Sequence, residues 1–98
     1  MIDTPSIDEL LRDYRYPPTY AELHLAITDD AGRSLRRVLS IRNGRAHLQS
    51  GGYGRVRGRA SDLRQVLLGK ASAADAVADQ RVDGPADDTA AFIRVFDG

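Results

Sequence analysis

Residues 20–48, YAELHLAITDDAGRSLRRVLSIRNGRAHL, decide the fold. Ala21, Leu23, Leu25 and Ile27 alternate with Glu22, His24, Ala26 and Thr28, the period of two that marks a strand with one face in a core. Asp29-Asp30-Ala31-Gly32 carries turn chemistry. Beyond it, Leu35, Leu39 and Ile41 share a parity with Arg37, while Ser34, Arg36, Val38, Ser40 and Arg42 take the other. Asn43-Gly44 predicts a two-residue hairpin, because a type I′ turn needs positive φ at both central positions. Ala46 and Leu48 then resume the apolar parity, against Arg45, His47 and Gln49. Three consecutive antiparallel strands follow from these residues alone.

The flanks are mostly helical. On the N-terminal side, Ser6-Ile7-Asp8-Glu9 has capping-box form, with Thr4-Pro5 as a competing start. Ile7, Leu10, Leu11 and Tyr14 lie at helical spacing until Pro17-Pro18 forbids continuation. On the C-terminal side, Gly51-Gly52-Tyr53-Gly54 breaks the chain. Val56, Gly58 and Ala60 alternate with Arg55, Arg57 and Arg59 as a fourth strand. Ser61 is expected to cap a helix over 62–68 whose Leu63, Val66 and Leu67 form one stripe, with Gly69 as its stop. Ser72 caps a short alanine-rich helix, and Arg81-Val82-Asp83 makes a brief edge strand. Gly84-Pro85 opens a last helix with Phe92, Ile93 and Phe96 facing inward. Strands first and helices last predict α+β: an antiparallel sheet of about five strands with helices packed on one face. The expected organisation is one domain over 1–98, with a helix and Pro turn in 1–19, strands in 20–60, and helices with the edge strand in 61–98.

Ninety-eight residues exclude a two-domain enzyme or a large cofactor fold. Leu, Ile, Val and Phe number 23, enough to fold but with little core to spare. The zero net charge conceals segregation. Residues 33–59 hold eight arginines and no acid, whereas the flanking segments carry net charges of −5 and −3. The absence of cysteine excludes disulfides and thiolate chemistry. With no basic, apolar leader at Met1-Ile2-Asp3-Thr4-Pro5 and no long apolar run, a reducing cytoplasmic setting is the expectation.

Thr28–Gly32, Leu39-Ser40-Ile41-Arg42-Asn43-Gly44, Ser61-Asp62-Leu63 with Leu67-Leu68-Gly69-Lys70, and Val82-Asp83-Gly84 together resemble sterol-carrier-protein domains. The nearest variety is the C-terminal domain of alkyl sulfatases, and the likeness spans roughly residues 20–96. The resemblance implies a five-stranded sheet covered on one face by helices, with an apolar space between the layers for acyl, alkyl or sterol-like ligands, and no catalysis by the domain. Two departures bear on the size of that space. Asp79-Gln80 stands where a glycine usually precedes the fifth strand, and the fourth strand carries Arg55, Arg57 and Arg59.

Candidate chemistry is sparse. His24 and His47 fall on the solvent parity, and a zinc site would find only Glu22 nearby. Gly69-Lys70-Ala71 is no phosphate loop, and Gly52-Tyr53-Gly54 no dinucleotide fingerprint. Pro17-Pro18-Thr19-Tyr20 matches a short WW-domain ligand pattern, but helix termination explains its prolines. No catalytic residue, metal or cofactor is assigned. The first functional reading is a non-enzymatic binding module for a small hydrophobic or amphiphilic ligand, lined by Leu25, Ile27, Leu39, Ile41, Leu48, Leu67, Phe92 and Phe96. Arg37 lies among apolar neighbours, where it would clamp an anionic head group, snorkel, or pair with a helix Asp such as Asp62. The second reading is a homodimerisation, acidic-partner or accessory module with a small or collapsed pocket. It works through a basic sheet face bearing Arg36, Arg42, Arg45, Arg55, Arg57 and Arg59, with most acids on the helical back. One interleaved aromatic, Tyr53, argues against nucleic acid, and nothing favours a membrane surface.

Overall fold

A computed structural model describes residues 6–97. The elements in chain order are α1 (Ile7–Asp13), β1 (Tyr20–Thr28), β2 (Ser34–Arg42), β3 (Arg45–Ser50), β4 (Val56–Arg59), α2 (Ala60–Leu67), α3 (Ala73–Ala78), β5 (Val82–Asp83) and α4 (Ala86–Asp97). The α+β expectation holds. The sheet runs β3-β2-β1-β4-β5 and is antiparallel except at β1 and β4, which pair in parallel. The parallel pair arises because the chain leaves β3 at one edge and crosses to the far side of β1 before resuming as β4.

Register and parity agree. Leu23 faces Leu39, which faces Leu48; Leu25 faces both Arg37 and Val56; Ile41 faces Ala46. Asn43 and Gly44 adopt φ of 51° and 82°, the turn their identities predicted. Leu23, Leu25, Ile27, Leu39, Ile41, Val56 and Val82 are at most 2% exposed, and they meet Leu11, Leu63, Val66, Phe92 and Val95 from the helices.

Helix starts are set by local donors and acceptors. Ser6 Oγ accepts from the Glu9 amide at 3.2 Å, and Ser72 Oγ from the Asp75 amide at 3.0 Å. The competing Thr4-Pro5 start lies outside the described residues. Ser61 does not cap α2: the helix begins at Ala60, straight off β4, with Arg59 at the cap position and no side-chain hydrogen bond there. Parity explains this, since Ala60 is the next inward residue and its burial draws the first turn onto the core. Asp97, at the end of α4, accepts from the Ala73 and Ala74 amides at 2.7 and 2.8 Å, so its carboxylate closes the start of α3. In α4 the inward stripe is Thr89, Phe92, Val95 and Phe96, with Ile93 only half-buried. Gln80 takes φ 61°, the left-handed turn that explains the glycine expected just before β5.

Candidate functional site

The side chains expected to line a ligand space do converge. Leu25, Ile27, Leu39, Ile41 and Phe92 are 0–1% exposed, and Phe96 is 8% exposed. Leu48 on β3 and Leu67 on α2 are partly buried at the margin of the same cluster. Helix α1, which packs against both β3 and α2, lies beside that margin. One end of the cluster is closed by aromatic rings. The Tyr14, Tyr16 and Phe96 centroids lie 5.0–5.8 Å apart in edge-to-face geometry, and Phe92 lies 4.8 Å from Phe96. Tyr14 donates to the Phe96 carbonyl at 2.9 Å and Tyr16 to the Leu11 carbonyl. Burial pushes both phenols above their ordinary value, helped at Tyr14 by the Asp97 charge and at Tyr16 by Tyr14.

Arg37 falls on the inward parity, yet it is not free to meet a head group. Its Nε and Nη2 donate to the two Asp8 carboxylate oxygens at 3.1 and 3.3 Å, and Nη1 donates to the Arg36 carbonyl. The partner is a helix aspartate, as one of the sequence alternatives had it, but from α1 rather than Asp62. The two-pronged contact ties α1 to the middle of β2.

The opposite sheet face holds a feature that parity did not reveal. Residues 51–55 run across it as a strap between β3 and β4. Tyr53 donates its amide to His24 Nδ1 at 3.0 Å, its ring lies 5.1 Å from the imidazole, and Arg55 sits 5.8 Å above the Tyr53 ring. A Cβ on Gly52 would stand 2.5 Å from Val38 Cγ2 and 2.6 Å from His24 Nδ1, so only glycine fits there, at φ +94°. His24 was expected to face solvent. It is on the predicted face, but the strap leaves its side chain 16% exposed. Because Nδ1 accepts, the neutral ring carries its proton on Nε2, which points at Glu22 Oε2 at 3.3 Å.

The basic face is real but partly neutralised. Arg57 pairs with Asp83 at 3.5 Å and Arg55 with Asp88 at 3.9 Å, while Arg36, Arg42, Arg45 and Arg59 form no ion pair with a described residue. Among the described residues, no group of three His, Asp or Glu side chains is placed to hold a metal ion. Three depressions, of about 340, 300 and 230 Å³, open at the surface, and the second touches the margin of the apolar cluster at Ala21 and Ile41. The first is at Thr28, Asp29, Asp30, Gly32, Arg59 and Ser61. The other two share Ser40 and Arg42, toward the Asn43-Gly44 end of the sheet. No helix among the described residues is long and apolar enough to cross a membrane.

A sheet sealed by helices on one face and strapped on the other defines a small α+β domain whose accessible chemistry is a basic surface. The chain belongs to the sterol carrier protein domain family, whose model matches residues 7–98. No curated protein matches the sequence significantly. Among solved structures it is similar to a GCN5-related N-acetyltransferase from Anabaena variabilis, with TM-score 0.81 and 22% identity over 92% of this chain and 24% of that one. It is also similar to a GCN5-related N-acetyltransferase from Kribbella flavida, with TM-score 0.72 and 19% identity over 90% and 24% of the two chains. A probable N-acyltransferase from Enterococcus faecalis gives TM-score 0.69 and 15% identity over 88% and 23%. The chain thus spans about a quarter of the length of these structures. At such identities the likeness is one of fold.

Proposed function

We propose that this chain is a non-catalytic, sterol-carrier-like accessory domain that acts through its surface, with the sheet–helix interface serving as its core. The observation that carries this reading is the filling of that interface. Leu25, Ile27, Leu39, Ile41, Phe92 and Phe96, which would line a ligand space, are spent on one another at 0–8% exposure, with Leu48 and Leu67 partly buried at the margin. Energetics favour the same reading: an empty tunnel of roughly 300 Å³ would cost about 7 kcal/mol at ~24 cal/mol per Å³, comparable to the whole stability of a small domain. Similar folds making up about a quarter of proteins named as N-acetyltransferases support a role beside a catalytic domain. Titration with cis-parinaric acid tests the reading. No saturable fluorescence rise at micromolar protein is expected; stoichiometric, competable binding would overturn it.

A second reading is carriage of a small hydrophobic ligand, which family membership and the partial burial of Leu48 and Leu67 beneath α1 favour. In that case α1 is the lid, the Asp8–Arg37 pair its latch, and the cargo an acyl or alkyl chain of the kind the alkyl-sulfatase-like motifs imply. A homodimer remains an arrangement that the surface reading admits.

A further inference from the structure

The Asn43-Gly44 turn forces two arginines against each other. Arg42 and Arg45 are direct cross-strand partners on the face opposite the helices. Side chains so placed lie about 5 Å apart at Cβ, and like charges there are destabilising. Neither arginine has an acidic partner among the described residues, although Arg33, Arg37, Arg55, Arg57 and Arg81 each have one. The closest acid in register is Glu22, whose partner Ser40 adjoins Arg42, and its carboxylate is turned to His24. Tyr20, 70% exposed, stands opposite Arg42 on β1, which makes a row of Tyr20, Arg42 and Arg45 across three strands. Ser40, His47 and Gln49 continue the patch around the 230 Å³ depression, and the strap bounds it on the other side.

We infer that this patch docks an acidic protein segment, with paired carboxylates received by the Arg42 and Arg45 forks and an apolar side chain seated on Tyr20. Charge complementarity carries the choice. Among the described residues no acid compensates this like-charge pair, which a partner carboxylate relieves, and guanidinium forks match carboxylate geometry. A nucleic-acid track is disfavoured, since Arg55 and Arg57 are already neutralised by Asp88 and Asp83 and the strap interrupts the line. A membrane surface would want more exposed apolar side chains beside the charges than Tyr20 alone.

The inference rests on the surface-acting reading, and the experiment separates the two. Amide shifts of the ¹⁵N-labelled chain are followed on adding an acetylated ten-residue peptide of alternating Glu and Thr, with a Gln-for-Glu peptide as control. Shifts are expected at Ser40, Arg42, Arg45 and His47. They should weaken at least tenfold in the Arg42→Glu, Arg45→Glu double variant, stay unchanged in Arg59→Glu, and fade between 50 and 300 mM salt. The docking inference is overturned by equal shifts at Arg57 and Arg59, by equal binding of the Gln peptide, by the same site saturated as tightly by inorganic phosphate, or by reversal-sensitive binding to phosphatidylserine vesicles in place of the peptide. Self-association through the patch, seen by analytical ultracentrifugation and abolished by the double variant, overturns it in favour of a second copy. If the peptide fails and cis-parinaric acid also fails, only the docking inference falls; if the fatty acid binds, the surface-acting reading falls with it.

Discussion

Leu39→Ala distinguishes a filled core from a vacant pocket by magnitude. Leu39 is fully buried at the centre of the Leu23–Leu39–Leu48 row, with strands on both sides. Neither neighbouring strand can move in without breaking the ladder, so the deleted methyl groups leave a cavity. Leu→Ala changes in packed cores cost about 2.7–5 kcal/mol, rising with the residual cavity, and about 3–4 kcal/mol is expected here. A side chain lining a vacant space lacks partner atoms on one side and loses correspondingly less. Urea unfolding followed by far-UV circular dichroism reads the difference. With a slope of about 1–1.5 kcal/mol/M, the midpoint should fall by roughly 2–4 M, and Tm by at least ~12 °C. Leu48→Ala, at the half-buried margin, should cost about half as much. If Leu39→Ala proves too unstable to fold, Leu39→Val should still cost about 1 kcal/mol. A Leu39→Ala cost below ~1.5 kcal/mol, no larger than that of Leu48→Ala, would mean that Leu39 borders a vacant space.

Other perturbations probe the remaining contacts. Gly52→Ala must displace the strap from His24 and Val38 at a strained φ, so a loss of about 2 kcal/mol or more is expected in thermal melts, with local rather than global change in amide exchange of β1. Gln80→Gly relieves a left-handed non-glycine residue and should raise stability by about 0.5–1 kcal/mol in the same assay. The buried phenol of Tyr16, raised above its ordinary 10.0, stays protonated in the folded chain after the unfolded one has ionised. Its contribution is therefore complete below pH 10 and lost as pH climbs beyond it. Alkaline unfolding monitored by ultraviolet phenolate absorbance should begin near that point and be delayed in Tyr16→Phe. Asp8→Asn removes the charged partner of Arg37 and should cost about 1 kcal/mol, and proteolysis should show α1 loosening first.

The strands were legible in the sequence because burial on one sheet face imposes a period of two that no other element mimics, as Leu23, Leu25 and Ile27 show against Leu39 and Ile41. The Asn43-Gly44 hairpin was legible because its backbone demands those residues. Within α4 the core members Phe92 and Phe96 were found, but Val95 was missed and Ile93 overweighted, since the stripe depends on the angle at which the helix lands. Three features were beyond local reasoning. The strap depends on β4 lying beside β1, a topological fact that strand parity does not contain. Asp8 meets Arg37 only because α1 docks near β2 and β3, whereas the sequence alone named a helix aspartate such as Asp62. Finally, the convergence of Leu25, Leu39 and Phe92 was readable, whereas their filling of the space is a matter of volume in three dimensions.

Native mass spectrometry of the purified chain, before and after incubation with a twofold excess of palmitate, reads directly whether the sheet–helix interface holds a ligand. A filled interface gives the mass of the polypeptide alone in both spectra, 10.7 kDa, with no adduct surviving gentle activation. A stoichiometric one-to-one palmitate adduct, lost in a variant that bulks the interior such as Leu25→Phe, would contradict it and make the sheet–helix interface a ligand chamber.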